Sequence, residues 1–250
     1  NVNFIDSFEE IDGKPFSWDD YFPGYSSMTP EARSVYFLRN GLTDTEKTAM
    51  NTYGADMSKY DASGNEARLR AAYENRDPRL AAIAITPYST YDGGASGSVV
   101  TYTSRYPYRD WQAPSLDLRY GNNAYMLYPI RKFVTKGREY TNIGYNPVDV
   151  PIIRYADVLL MYAEAVWRAH EVPSPEALEY VNQVRRRGFG VDIKTPNEAV
   201  DLKMMDGDKF AEALLAERSF ELCFEGQRWY DLVRFGKLEE GVKKLAKYSS

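Results

Sequence analysis

One cysteine and one histidine are all that 250 residues supply of either type. A lone cysteine forms no intrachain disulfide, and one Cys with one His cannot build a Cys/His zinc site. An excess of basic residues is also missing. The balance of 31 Lys and Arg against 36 Asp and Glu leaves a net charge of −5, the wrong sign for a nucleic-acid-binding face. Long apolar runs are absent too: the most apolar stretch, Pro151 to Trp167, carries Arg154, Asp157 and Glu164, too many charges for a lipid-facing helix. There is no signal peptide, and the chain opens at Asn1 rather than Met, which reads as a processed or trimmed chain. No nucleophile elbow or phosphate loop appears. The GGASG run from Gly93 to Gly97 is not followed by a helical pattern, so it is no dinucleotide fingerprint, and no cofactor is expected. An oxygen-only calcium site stays open, because the loops contain many Asp and Asn.

What is present is ordinary for a folded protein: 44% hydrophobic and 27% charged residues, on a chain long enough to bury a sizeable core. The reading is a single, mainly α domain over residues 1–250, in three stretches: short helices in 1–85, a loop-rich insertion with short strands in 86–148, and a helical scaffold in 149–250. In the scaffold, Asp149 is placed as the cap before Pro151, with Ile152, Ala156, Leu159, Leu160, Ala163 and Val166 at helical spacing. Ser174 caps Pro175, and that helix ends in Arg185, Arg186, Arg187 and Gly188. A third helix is expected from Asp208 to Glu225, a fourth from Gln227 to Phe235 and a fifth from Leu238. Nearer the start, Thr29 and Pro30 open a run ending at Gly41, and Thr43/Glu46 and Ser63/Glu66 match capping boxes. Leu80 to Ile85 reads as a short strand.

The insertion is the aromatic part of the chain. Residues 86–128 hold Tyr88, Tyr91, Tyr102, Tyr106, Tyr108, Tyr120, Tyr125 and Tyr128, eight of the 21 tyrosines, which is too aromatic a composition for a disordered segment. Tyr106, Tyr108, Arg109 and Trp111, on the proline-kinked stretch SRYPYRDWQ, combine stacking faces with polar groups. Tyr120, Asn122 and Asn123 form a second cluster. Pyranose rings present C–H faces that stack on such aromatics while Asn and Arg pair with hydroxyls. Packing of the insertion by the same rings is the other reading, and for a single Tyr it is the better one. Trp18 and Tyr21 are outside candidates.

The stretch ERSFELCFEGQRWYDLVRFGKL, Glu217 to Leu238, interleaves charge with apolar bulk. Glu217, Glu221 and Glu225 repeat every four residues, with Arg218 three before Glu221. Arg228, Asp231 and Arg234 repeat every three. Opposite charges at these spacings pair along helices. A catalytic pair instead needs two carboxylates in different environments across a cleft. The seven residues are therefore read as structural ion pairs, with a glycoside hydrolase as the alternative. His170 is read as an exposed histidine without a role, and Cys223 as a buried inert thiol.

This same stretch resembles a hallmark of the SusD/RagB family of outer-membrane nutrient-binding lipoproteins. PIIRYADVLLMYAEA (Pro151 to Ala165) looks like a second hallmark, VNQVRRRG (Val181 to Gly188) like the link between them, and NRDPRL (Asn75 to Leu80) like a further turn. The resemblance implies a SusD-like α-helical fold with tetratricopeptide-like helix pairs. It implies a non-catalytic protein that binds oligosaccharides or polysaccharides, or sometimes peptides, and passes them to a SusC-like TonB-dependent outer-membrane transporter. It implies a lipid-anchored location at the cell surface. Members of the family are longer and begin with a lipidated Cys, so this chain looks like a C-terminal part, without the anchor.

Overall fold

The computed structural model describes residues 2–93, 100–107, 116–117, 128–134 and 148–246. Among these the chain is mainly helical. In order come α1 (Val2–Asp6), α2 (Trp18–Tyr21), α3 (Pro30–Arg33), α4 (Asp44–Tyr53), α5 (Asn65–Glu74) and α6 (Pro78–Ile83). Three short strands follow, β1 (Thr90–Gly93), β2 (Val100–Thr103) and β3 (Leu116–Asp117). The scaffold then runs through α7 (Tyr155–His170), α8 (Pro175–Gly188), α9 (Gly207–Glu221), α10 (Arg228–Arg234) and α11 (Leu238–Ala246).

Two compact units result. One combines residues 1–16, 77–80 and 150–250; the other combines 17–76 and 81–149. The first is built on α7, α8 and α9, whose inner stripes meet in a mostly aliphatic core. Leu160, Ala163, Val181, Phe210 and Leu214 are buried there, each large apolar side chain contributing roughly 1.5–3 kcal/mol. Phe8, just after α1, packs tilted against Phe220 of α9 with ring centroids 4.7 Å apart, which ties the N-terminal segment to the same unit. The Ser174 hydroxyl accepts from Ala177 N, and Pro175 opens α8 as the sequence predicts. Gly188 does not stop α8 by adopting a left-handed conformation. A Cβ there would lie 2.5 Å from Arg79 Nε, so the glycine is required by a guanidinium packed against the helix.

The second unit has short elements and an aromatic core. Trp18 is 8% exposed and stacks on Phe22 (5.9 Å) and Tyr25 (5.3 Å), with Phe37 and Tyr73 edge-on. Phe22 lies flat on Tyr36 at 4.2 Å. Its small sheet has the order β1-β2-β3, with β1 antiparallel to β2 (Tyr91 opposite Tyr102) and β3 parallel to β2.

Several boundaries differ from the sequence expectation, each for a local reason. α7 begins at Tyr155, not after Asp149: Arg154 is extended (φ −118°, ψ 153°) and Ile152 is 88% exposed. α9 ends at Glu221, not Glu225, because Arg154 Nη2 takes the Glu221 carbonyl at 2.9 Å and Phe224 turns to φ 63°. The expected strand at Leu80 to Ile85 is instead α6, whose first residue is Pro78. There the Asp77 carboxylate accepts from Arg79 N, as a residue before a first-turn proline does. The Thr43/Glu46 capping box forms in full. The Ser63/Glu66 box does not: Asp61 accepts from Ser63 N and Gly64 N, and Glu66 turns to Asn40 N. The run from Pro30 breaks into α3 and a 3-10 turn at Ser34–Phe37.

Candidate functional site

Of the expected ligand-binding residues, the structure describes Tyr106. Tyr108, Arg109, Trp111, Tyr120, Asn122 and Asn123 lie outside the described residues. Tyr106 is held by its backbone: its carbonyl accepts from Arg39 N at 2.6 Å, and a bridge joins it to Leu38. Its side chain is left 37% exposed. Beneath it, the Tyr88 hydroxyl donates to the Phe37 carbonyl at 2.5 Å. Tyr88 is buried, burial pushes its pKa up, and it sits at φ 63°. A non-glycine residue held there is strained and kept in place by its surroundings. Nearby, Asp117 is buried against Arg105 at 3.1 Å. Tyr128 shares a 2.7 Å hydroxyl contact with buried Tyr73. The insertion's tyrosines therefore divide. Tyr88 and Tyr128 act as scaffold, while Tyr106 offers surface. Trp18, by its four ring contacts, is packing.

The charged stretch near the C-terminus forms two lattices within the first unit. In the first, Glu217 is fully buried between Arg79 and Arg185, the latter at 3.1 Å. Arg185 continues to Glu9 at 2.7 Å, and Arg79 to Asp77 at 2.7 Å and Glu221 at 3.5 Å. Glu221 also receives Arg154 at 2.7 Å and Arg187, and Arg154 grips Glu225 at 2.7 Å. In the second, Arg218 joins Asp157 and Asp231, both at 2.9 Å. Arg234 joins Asp231 (2.7 Å) to Glu164 (2.9 Å), which also holds Arg168.

These partners are mostly not the ones that helical spacing suggests. Arg218 does not pair with Glu221 three residues on; it points to α7 and α10. Arg228 reaches no carboxylate within ion-pair distance among the described residues, and donates instead to the Leu215 carbonyl at 2.9 Å. Burial, with Arg218 nearby, draws its pKa down against the pull of Asp231. Reasoning from the sequence also leaves out Glu9, Asp77, Arg79, Arg154, Asp157 and Arg185. The three arginines ending α8 were the available signal, since two of them supply the lattice from a helix end otherwise explained by its dipole.

The electrostatics are those of neutralised pairs. Burial alone raises Glu164, but the donors Arg234 and Arg168 outweigh it and hold the carboxyl below its usual range. Glu9 is the opposite case: burial dominates over Arg185 and keeps it above that range. Burial opposes the charge on Arg79, yet Glu217 and Asp77 hold it protonated. Each carboxylate of the stretch is met by guanidinium donors, which is how buried charge is tolerated. No acid/base pair across a cleft emerges from the seven residues.

The first unit is thus a set of helices locked by ion pairs. The chain belongs to the SusD family, whose sequence model matches residues 1–249. SusD-like protein P38 of Formosa agariphila is 37% identical over 109 residues, 41% of this chain and 21% of the relative. SusD-like protein P25 of the same organism is 39% identical over 95 residues, 38% of this chain and 16% of the relative. The crystal structure of a SusD-like protein from Bacteroides fragilis NCTC 9343 aligns with a TM-score of 0.54 at 25% identity, over 94% of this chain and 35% of that one. The chain thus spans about a third of the solved relative's length and less of those curated relatives.

Proposed function

We propose that this chain is part of a cell-surface glycan-binding protein that captures oligosaccharides and passes them to a SusC-like TonB-dependent transporter. It carries out no chemistry on the ligand. In the intact protein a lipid anchor would hold it at the outer membrane. The observation that carries this reading is the match to the SusD family along residues 1–249. The charge lattices support it, since they account for Glu217, Glu221, Glu225 and Asp231 as structural groups, so this stretch does not supply the paired carboxylates that a glycoside hydrolase needs.

The ligand face in this proposal is the insertion, with Tyr106, Tyr108, Arg109, Trp111, Tyr120, Asn122 and Asn123 as contacts. Its support is the density of aromatic and amide groups in the sequence and the exposed ring of Tyr106. A panel of glycans, scored at once for thermal shift and for cleavage, tests the function: binding without product is the expected outcome, and product formation refutes it. Trp111→Ala tests the placement. Affinity should drop by about 1.5–3 kcal/mol, the burial contribution of a large side chain, with unfolding unchanged. Truncating Tyr106, Tyr108 and Tyr120 singly should give smaller, graded losses. A bound glycan indifferent to all four changes would show that these rings are packing.

A further inference from the structure

A helix side that faces water carries charge, and α8 and α9 obey that rule. α8 exposes Glu176 and Arg187, and α9 exposes Asp208, Lys209 and Glu212. α7 does the reverse. Every exposed position from Val150 to Ala165 carries an uncharged side chain. Ile152, Ile153, Tyr155, Val158, Met161 and Tyr162 are 39–88% exposed. The charged residues of the same stretch are turned to partners: Arg154 to Glu221 and Glu225, Asp157 to Arg218, and Glu164 to Arg168 and Arg234. Spacings of three and four residues put Tyr155, Val158, Met161 and Tyr162 on one side of the helix.

A contiguous apolar face marks an interaction surface, which singly scattered apolar residues do not. This face also has a fixed polar edge toward α8. The Tyr162 hydroxyl donates to Glu176 at 2.8 Å, the Tyr180 hydroxyl donates to the same carboxylate at 3.1 Å, and the two rings meet edge-on at 5.1 Å. α10, held to α7 by the Arg234–Glu164 pair, adds Trp229, Tyr230 and Val233 as exposed side chains. An aromatic, apolar centre with a satisfied polar rim is the make-up of a protein interface. A lipid surface fits less well. Helices that lie on membranes carry Lys and Arg toward the headgroups, whereas Arg154, the one cation between Val150 and Ala165, is held by Glu221 and Glu225.

The length of the relatives points to the occupant. This chain covers 35% of the solved relative and 21% and 16% of the two curated ones, so each of them has most of its polypeptide beyond the matched region. We propose that in the intact protein the α7 face packs against an apolar helix of the same polypeptide from outside residues 1–250. The row Tyr155, Val158, Tyr162 forms a ridge of the kind that sets into the groove of a neighbouring helix. The proposal rests on the reading of this chain as part of a larger protein and is independent of the ligand.

The test is made on the intact protein, purified without membrane and held at nanomolar concentration. Val158→Cys and Tyr155→Cys each place a thiol in the face, and Lys209→Cys places one on the charged side of α9. The wild type, with its buried Cys223, sets the background. Labelling by a bulky, charged maleimide is timed in the native protein and after urea unfolding. The two face thiols should react at least about a hundredfold more slowly in the native protein, as groups exposed only by local opening do. The Lys209→Cys thiol should react equally fast in both. Hydroxyl-radical footprinting of the unsubstituted protein gives the same answer without a mutation: Tyr155, Met161 and Tyr162 should be spared while exposed Met204 is oxidised. Face thiols that label at the Lys209→Cys rate, or a face oxidised like Met204, overturn the proposal. Protection that appears only at micromolar concentration overturns it in favour of a second copy. Protection that appears only with phosphatidylglycerol vesicles overturns it in favour of a lipid surface. A reading frame that encodes nothing beyond residues 1–250 overturns it before any labelling. No glycan enters the assay, so failure of the glycan-binding reading leaves the result unaffected.

Discussion

The two units of this chain are stabilised by different chemistry. In the unit built on α7, α8 and α9, the core is mostly aliphatic and the layer around it is a lattice of arginines and carboxylates. In the other, the described residues form fewer buried ion pairs, and Trp18, Phe22, Tyr25 and Tyr36 stack in one cluster with Tyr73 edge-on to Trp18. Element length explains the contrast. Helices of 14 to 16 residues, such as α7, α8 and α9, present continuous stripes that bury small side chains and bring charges into register along their flanks. Elements of four residues, such as α2 and α3, are too short for such a stripe, and large rings supply more contact per residue. The first solution depends on complete pairing, the second on ring volume.

The largest effect that would break this comparison is expected at Glu217. Glu217→Ala leaves Arg79 and Arg185 without their shared buried partner and should cost roughly 3–5 kcal/mol in urea unfolding. Hydrogen exchange should show the loss in α8 and α9. Unchanged protection there would mean that the lattice is decorative. Trp18→Ala is the counterpart, expected to cost about 3–5 kcal/mol through the void it leaves. Its loosening should appear in α2 and α5, and protection lost in α8 instead would contradict the division.

Glu221→Ala comes next at about 3 kcal/mol, since it removes the buried carboxylate that Arg154 and Arg187 share, although Arg154 keeps Glu225 and Arg79 keeps Asp77 and Glu217. The glycan binding proposed above should not change with it. Arg228→Ala separates charge pattern from actual pairing. The regular spacing ranks it with Glu221, whereas one bond to the Leu215 carbonyl supports only about 1 kcal/mol. A cost equal to that of Glu221→Ala would restore the pattern-based view.

The finest test uses pH. Glu164 is held below the ordinary glutamate range, so its contribution is present above that range and is lost as pH falls through the lowered value. The stability difference between wild type and Glu164→Gln should therefore shrink on acidification. Glu9 is held above the range, so the folded state gains on protonation and loses that gain as pH rises. Relative to Glu9→Gln, wild type should therefore gain stability on acidification, the opposite direction to its loss relative to Glu164→Gln. Parallel pH profiles for the two variants would show that neither carboxyl is set by its neighbours.

Much of this was legible in the amino-acid order alone. Capping at Thr43 and Ser174, the helical periods of α7 and α8, and the motifs that mark the SusD family are local signals, and local backbone rules are enough to read them. The first-turn proline of α6 was equally local, and the apolar run beyond it was misread as a strand. Tertiary structure decided what no spacing carries: that Arg218 turns away from Glu221 toward Asp157 and Asp231, that Arg154 ends α9 from a distance of 67 residues in sequence, and that Gly188 makes room for Arg79. A guanidinium reaches several carboxylates from one position, and which of them it meets is fixed when helices far apart in the chain are packed around a common core.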